Sequence, residues 1–158
     1  MCKRVLKPKE YLDRLQHVLT QQDGFSIAYT NEIAGLTDII VKDNKGNEIF
    51  IIPKDGGIYG ELSYGTIIQI RGIQAKHPRV LLVSFSKIDT AIQEALLKMG
   101  AYFLIKPTIE DVIRKLGEIA GYPDSYSINI PSQPPASIIE RGIAAIAAMF
   151  SKFLPSKK

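Results

Sequence analysis

The stretch TDIIVKDNKGNEIFIIPK, residues 37–54, decides the fold of this chain. It contains two runs that favour β-strands, at 38–42 and 48–53, and both are rich in isoleucine. Between them lies DNKGN, residues 43–47, whose composition is typical of a hairpin turn. The stretch therefore predicts two antiparallel strands joined by a tight turn.

The segments on either side of the hairpin show helical and extended patterns. RVLLVSF, residues 79–85, is almost wholly apolar, which is typical of a strand buried on both faces of a parallel sheet. Because strand and helix alternate from there on, we expect parallel pairing with right-handed crossovers. Together with the hairpin, this pattern predicts a three-layer α/β fold with a mixed central sheet. The remaining predicted elements are helices over 8–22, 61–76, 89–99 and 108–120 and strands over 25–29 and 101–105.

The C-terminal part of the chain differs in composition from the rest. Residues 1–122 form the predicted α/β domain, 123–135 a Pro/Ser-rich linker, and 136–158 an amphipathic helix with a basic tail. Over 136–154 the large apolar residues recur at helical spacing, which predicts self-association through this face. Docking on its own domain and binding to a membrane surface are the alternatives, and the small number of Lys and Arg residues disfavours the membrane. The apolar residues are Ile139, Ile143, Ile146, Phe150 and Phe153.

Composition excludes several classes of protein. The net charge of +4 is spread along the chain, so there is no strong basic stripe of the kind that dedicated nucleic-acid binders carry. Cys2 is the single cysteine, so no internal disulfide can form. No secretory leader and no run of 18 apolar residues is seen, so we expect a cytoplasmic protein. The high isoleucine content is consistent with a thermophilic source.

Charged residues at the ends of the two hairpin strands suggest a family. Asp38 opens one strand, and Ile52-Pro53-Lys54 ends the next. With the predicted element order, residues 9–105 resemble the PD-(D/E)xK, or restriction-endonuclease-like, nucleases. The resemblance implies a core of helix, three-strand meander, helix and strand. It also implies that the acid at Asp38 and the lysine at Lys54 serve an Mg²⁺-dependent cleavage site.

This chain departs from the family motif at one position. Ile52 stands where the family has its second acid. In some members that acid lies instead on the following helix, where Glu61 is the counterpart here, and Gln69 resembles a glutamine that often follows. The resemblance therefore implies Asp38, Lys54, Glu61 and Gln69 as catalytic residues, with Asp38 and Glu61 as the Mg²⁺ ligands if the protein is a nuclease.

A second, local resemblance covers residues 77–120, which are similar to the end of response-regulator receiver domains. Ser84 corresponds to the switch hydroxyl, and Lys106-Pro107 to the family's lysine–proline pair. Asp55 falls near the position of the phosphoacceptor aspartate. This resemblance implies a receiver-like signalling or interaction protein.

Three functions remain open from the sequence. The first is a nucleic-acid-binding protein, for DNA or RNA, on a nuclease-like scaffold with an incomplete catalytic motif. The second is an active Mg²⁺-dependent nuclease, and the third is a non-enzymatic scaffold or receiver-like protein. Tyr59, Tyr64 and Tyr102 are candidates for stacking on bases, with packing inside the fold as the alternative.

Overall fold

A computed structural model describes residues 6–123 and 125–130. The described chain contains four α-helices, five β-strands and a short 3₁₀ turn, Gly57–Tyr59. The helices are α1 (Pro8–Leu19), α2 (Gly65–Gln74), α3 (Thr90–Lys98) and α4 (Ile109–Ala120), and the strands are β1 (Ser26–Ile33), β2 (Leu36–Lys42), β3 (Glu48–Lys54), β4 (Val80–Ser84) and β5 (Tyr102–Ile105).

The five strands form one mixed sheet in the order β1-β2-β3-β4-β5. β1, β2 and β3 pair antiparallel, whereas β3, β4 and β5 pair parallel. In the hairpin, Lys42 pairs with Glu48, and the Asp43 carboxylate accepts hydrogen bonds from the N–H groups of Lys45 and Asn47 (both 2.9 Å). The predicted hairpin and mixed α/β sheet are confirmed.

Helices cover both faces of the sheet. One apolar core lies between the sheet and helices α1 and α4, and it includes Leu15, Ile51 and Leu116. The other lies between the sheet and helices α2 and α3, and it includes Ile52 and Leu96. The molecule therefore has the predicted three layers, and successive residues of each central strand face different cores.

The predicted boundaries of two helices are wrong. α1 ends at Leu19 rather than at 22, because the chain must turn there to enter β1. α2 begins at Gly65 rather than at Glu61, because the preceding segment is held in an extended form against the loop after β4. The predicted start of α4 is confirmed, since Thr108 caps it by accepting a hydrogen bond from the Asp111 N–H group (3.0 Å).

The chain continues past α4 and contacts the loop that follows α1. Tyr126 donates a hydrogen bond to the carbonyl of Asp23 (2.7 Å), and the Asn129 N–H group donates to the Gln22 side chain (3.0 Å). The predicted helix over 136–154 lies outside the described residues, as do residues 124 and 131–135 of the predicted linker. Among the residues that the structure describes, no helix is long and apolar enough to cross a membrane.

Candidate functional site

The candidate residues meet at one edge of the sheet. Lys54 and Ser84 pair with each other at the carboxyl ends of the parallel strands β3 and β4. β2 runs antiparallel to β3, so its beginning, which contains Asp38, lies at this same edge. The carboxyl edge of parallel strands is where α/β proteins commonly bind ligands.

Asp38 and Lys54 also lie on the same face of the sheet. Ile39 and Ile51 are paired and both face the core under α1 and α4. Because side chains alternate along a strand, Asp38, Ile52 and Lys54 face the opposite side, where α2 packs. The structure thus places these three positions on one face of the sheet.

An open cleft of about 500 Å³ lies between this edge and α2. Lys54 enters it from the end of β3, Glu61 from the following loop, and Gln69 from α2. Three of the four predicted site residues therefore line a single cleft although they come from three segments. The rest of the lining is Asp55, Gly56, Tyr59, Leu62, Ser63, Gly65 and Thr66.

Glu61 lies in the loop that precedes α2 and not on the helix where the sequence predicted it. Its backbone forms a parallel bridge with Lys87, which follows β4. On either side of it, Leu62 donates its N–H group to the Lys87 carbonyl (3.0 Å), and Lys87 donates its own to Gly60 (3.1 Å). These pairings hold the Glu61 backbone beside the cleft. Glu61 therefore lines the cleft from an extended loop and not, as predicted, from a helix.

Close packing also fixes the beginning of this loop, at Gly56. A Cβ atom added to Gly56 would lie 2.3 Å from the backbone oxygen of Glu61, so only glycine fits there. The Gly56 N–H group donates to the Ser86 hydroxyl (2.7 Å), which donates to the Asp55 carboxylate (3.0 Å). Ser86 was not among the residues predicted from the sequence. Its contacts with Asp55 and Gly56 join segments about thirty positions apart, and no local sequence pattern reveals such contacts.

Asp38 lies beside the lysine of the cleft. Burial raises the pKa of the half-buried Asp38 carboxyl above its ordinary value, and the Lys54 ammonium group offsets part of this shift. Lys54 therefore supplies only part of the positive charge that would stabilise the Asp38 carboxylate. Ile52, the residue between them on this face, is fully buried and contributes no polar atom.

The donor set at the site fits Mg²⁺ in kind. Asp38 and Glu61 would supply two carboxylates, and Mg²⁺ prefers hard oxygen ligands with water completing its shell. Within residues 6–123 and 125–130, no group of three or more His, Cys, Asp or Glu side chains is placed to hold a metal, and Asp38 is not among the residues that line the cleft with Glu61.

The residues of the receiver resemblance also lie at this edge, after adjacent parallel strands. Asp55 and Lys106 line a second cleft beside α1. The Asp55 carboxylate already accepts hydrogen bonds from Ser86 and from the Gly57 N–H group (3.1 Å), and Ser84 donates to the Ser86 carbonyl (2.5 Å). These groups therefore fasten the loop after β3 to the loop after β4.

No protein-family model and no curated protein matches the chain significantly. Among solved structures, it is similar to EndoMS in its apo form (15% identity, TM-score 0.44) and to EndoMS in complex with double-stranded DNA (15% identity, TM-score 0.42). The matches cover 67% of this chain and 49% and 48% of those chains, so this chain spans about half their length. A likeness this low says nothing about activity.

Proposed function

We propose that this protein binds nucleic acid, DNA or RNA, at the cleft lined by Lys54, Glu61 and Gln69. The observation that carries the proposal is the presence of these three residues in one cleft, with Asp38 next to Lys54 on the same sheet face. Their motif positions distinguish these residues in the sequence independently of their place in the fold. Their arrangement around one opening supports a common use.

The cleft offers several groups suited to a phosphodiester backbone. Lys54 provides a positive charge, and the side chains of Gln69, Ser63 and Thr66 provide hydrogen-bond donors. Since α2 begins at Gly65, the positive end of its helix dipole also lies there. These groups bind a phosphate and sugar chain without reading its sequence.

The acidic residues of the cleft imply a role for a cation in binding. Asp55 and Glu61 line it together with Lys54, so two carboxylates oppose one ammonium group. A polyanion approaching this surface meets net negative charge unless a divalent cation compensates for it. We therefore expect nucleic-acid affinity to be higher in Ca²⁺ or Mg²⁺ than in EDTA.

Fluorescence anisotropy with labelled DNA and RNA oligonucleotides tests the proposal. Lys54→Ala should weaken binding and reduce the slope of log affinity against log salt by about one phosphate contact. Lys98→Ala removes an exposed lysine at the end of α3 that does not line the cleft, and it should leave binding unchanged. Equal affinities of Lys54→Ala and wild type, or no binding at low salt with Ca²⁺, would overturn it.

Mg²⁺-dependent hydrolysis of the bound strand is the second candidate. It is favoured by Glu61 in the Lys54 cleft, since this carboxylate can replace the acid missing at Ile52. Mg²⁺ held by Asp38 and Glu61 would neutralise phosphate charge and lower the pKa of a bound water. Asp38→Ala and Glu61→Gln should abolish cleavage in Mg²⁺ or Mn²⁺, whereas Glu94→Gln on α3 should not. Binding in Ca²⁺ without cleavage by the wild type in Mg²⁺ would leave binding as the function.

The C-terminal segment supplies the proposed partner contact. We propose that the apolar face predicted over 136–154 joins copies of the chain, because five large apolar residues at helical spacing need a surface to cover them. Its own domain and a membrane surface remain the alternatives for that face.

A further inference from the structure

Two tyrosine rings beside the cleft are exposed to solvent. Tyr59 is 82% exposed and lines the cleft, and Tyr64 is 60% exposed between the lining residues Ser63 and Gly65. The two tyrosines lie within six positions of each other in the sequence, and both leave their rings exposed beside one cleft. This is unusual, because tyrosine normally buries its ring and keeps only its hydroxyl in water.

Other tyrosines of this chain show what packing looks like. Tyr122 and Tyr126 stack against each other at 5.1 Å between ring centroids, and Tyr122 also packs on Phe25 at 5.1 Å. Their hydroxyls bond to backbone carbonyls of Gly24 and Asp23. In the described part of the chain, none of the ring pairs involves Tyr59 or Tyr64, and both side chains lie mostly in solvent.

The backbone beneath Tyr59 is well anchored although its ring is free. Tyr59 ends the 3₁₀ turn between Gly57 and Gly60, and both glycines adopt positive φ angles (62° and 70°) that other residues avoid. The Tyr59 N–H group donates to the Gly56 carbonyl (3.3 Å), and Gly56 is itself held by Ser86. These contacts hold the backbone of Tyr59, so binding need not order the loop.

Tyr64 is held at the start of α2. Its carbonyl accepts the N–H group of Ile67 (3.0 Å), and the neighbouring Leu62 is buried in the core under α2 and α3. Ile68, one helical turn further on, is 72% exposed. Tyr64 and Ile68 thus form a short exposed apolar strip at the start of α2, each directly before a lining residue in sequence, Gly65 and Gln69.

We propose that Tyr59 and Tyr64 stack on unpaired bases, so that the preferred ligand of this cleft is single-stranded nucleic acid. The inference rests on the proposed function and names its substrate class. In a duplex the bases are stacked on one another, and protein side chains reach only their edges and the backbone. Exposed rings next to a backbone-binding cleft can contact base faces only where the strand is unpaired.

The charge of the cleft supports the same ligand. With two carboxylates against one lysine, the charged side chains of the cleft repel phosphates on balance unless a cation compensates, so a second source of affinity is required. Stacking on aromatic rings supplies it without positive charge, and it tolerates any sequence because every base has a flat face. A duplex would have to rely on the backbone contacts alone.

The test compares a labelled oligothymidylate with a blunt duplex of the same length, using the full chain in Ca²⁺ and fluorescence anisotropy. We expect the single strand to bind more tightly than the duplex. Tyr59→Ala and Tyr64→Ala should each weaken single-strand binding roughly tenfold and leave duplex binding unchanged. Tyr59→Phe and Tyr64→Phe keep the ring face and should bind like the wild type.

Tyr102→Ala is the matched control. Tyr102 pairs with Leu81 at the start of the edge strand β5, away from the carboxyl edge, and is 38% exposed. It should retain wild-type affinity, and circular dichroism confirms that each variant is folded.

Two results would overturn the inference. One is duplex binding as tight as single-strand binding; the other is unchanged single-strand affinity in both alanine variants while Lys54→Ala still weakens it. Either result leaves the proposed function standing and assigns the two rings to another contact, such as a protein surface. Absence of binding to both ligands would overturn the proposed function as well.

Discussion

At the residue scale, the charged side chain of Asp38 lowers the stability of the fold and also lies at the proposed site. Its carboxyl is half-buried, and burial raises its pKa despite the nearby Lys54. A group whose pKa is higher in the folded state than in the unfolded state favours folding most when protonated. The charged form of Asp38 therefore weakens the fold at neutral pH, as is common for residues kept for function.

Asp38→Asn should accordingly raise the free energy of unfolding at pH 7, because the amide needs no charge compensation. The gain should shrink as the pH falls toward about 3.9, the ordinary value for aspartate, where the wild-type carboxyl also becomes neutral in the unfolded chain. Urea unfolding at several pH values measures it. Asp13→Asn, on the exposed side of α1, should give no such gain, and an equal gain there would contradict the explanation.

Tyr11 gives a second prediction at this scale. Its hydroxyl is buried without a hydrogen-bond partner among the described residues, although its ring packs edge-on against Phe85 (5.2 Å between centroids). Tyr11→Phe keeps the ring contact and removes the unpaired hydroxyl, so the free energy of unfolding should rise by about 1 kcal/mol. Tyr122→Phe loses a hydroxyl that is bonded to Gly24 and Asn44, and it should lower stability instead.

At the scale of elements, the loop between β3 and α2 determines the site. It brings Asp55, Glu61 and Tyr59 to the cleft, and it is tied to the loop after β4 by backbone and serine hydrogen bonds. Gly56 is the point of closest approach, since a side chain there would collide with the Glu61 backbone. The geometry of the cleft therefore depends on one position that carries no functional group.

Gly56→Ala should displace Glu61 and lower both stability and nucleic-acid affinity, with a cost to folding of roughly 1–3 kcal/mol from overpacking. Gly72→Ala is the control. Gly72 lies inside α2 with no atom within 4 Å of an added Cβ, so alanine should stabilise the helix by up to about 1 kcal/mol. Urea unfolding measures the stability of both variants, and fluorescence anisotropy measures their affinity for nucleic acid. Wild-type affinity in a folded Gly56→Ala variant would refute the role of the contact between Gly56 and the Glu61 backbone.

At the scale of the whole molecule, the α/β domain continues beyond α4 further than composition suggests. Tyr126 and Ile128 pack against the α1 and α4 core, and Asn129 bonds to Gln22. A truncation that tests the C-terminal segment must therefore keep residues up to 130. Removing residues from 123 onward would also remove contacts to Gln22 and Asp23, which follow α1, and would confuse loss of stability with loss of association.

Deleting 131–158 should reduce the mass in solution to that of a monomer without changing the free energy of unfolding of the domain. Light scattering coupled to size exclusion measures the mass. In the full chain, Ile146→Asp places a charge on the predicted apolar face and should act like the deletion, whereas Ala148→Asp, on the opposite face, should not. An unchanged mass after deletion would refute self-association through this segment.

Local sequence patterns predicted much of the fold of the whole molecule. The hairpin at 43–47, the buried β4 and the cap at Thr108 are each set by residues within a few positions, so periodicity and turn chemistry predicted them. The start of α2 was mispredicted because Lys87 and Ser86 hold the preceding loop extended, and neither is near it in sequence. Helical periodicity over 61–76 does not register such long-range contacts.

By itself, the sequence determined the mixed α/β fold and identified Asp38, Lys54, Glu61 and Gln69 as candidates, because strand alternation and motif spacing are local properties. Only the tertiary structure decided that three of these residues line one cleft, that Glu61 reaches it from a loop, and that Tyr59 and Tyr64 remain uncovered there. Convergence and exposure depend on how distant segments close upon each other, and the contacts that close them, such as Gly56 against Glu61, exist only in the folded chain.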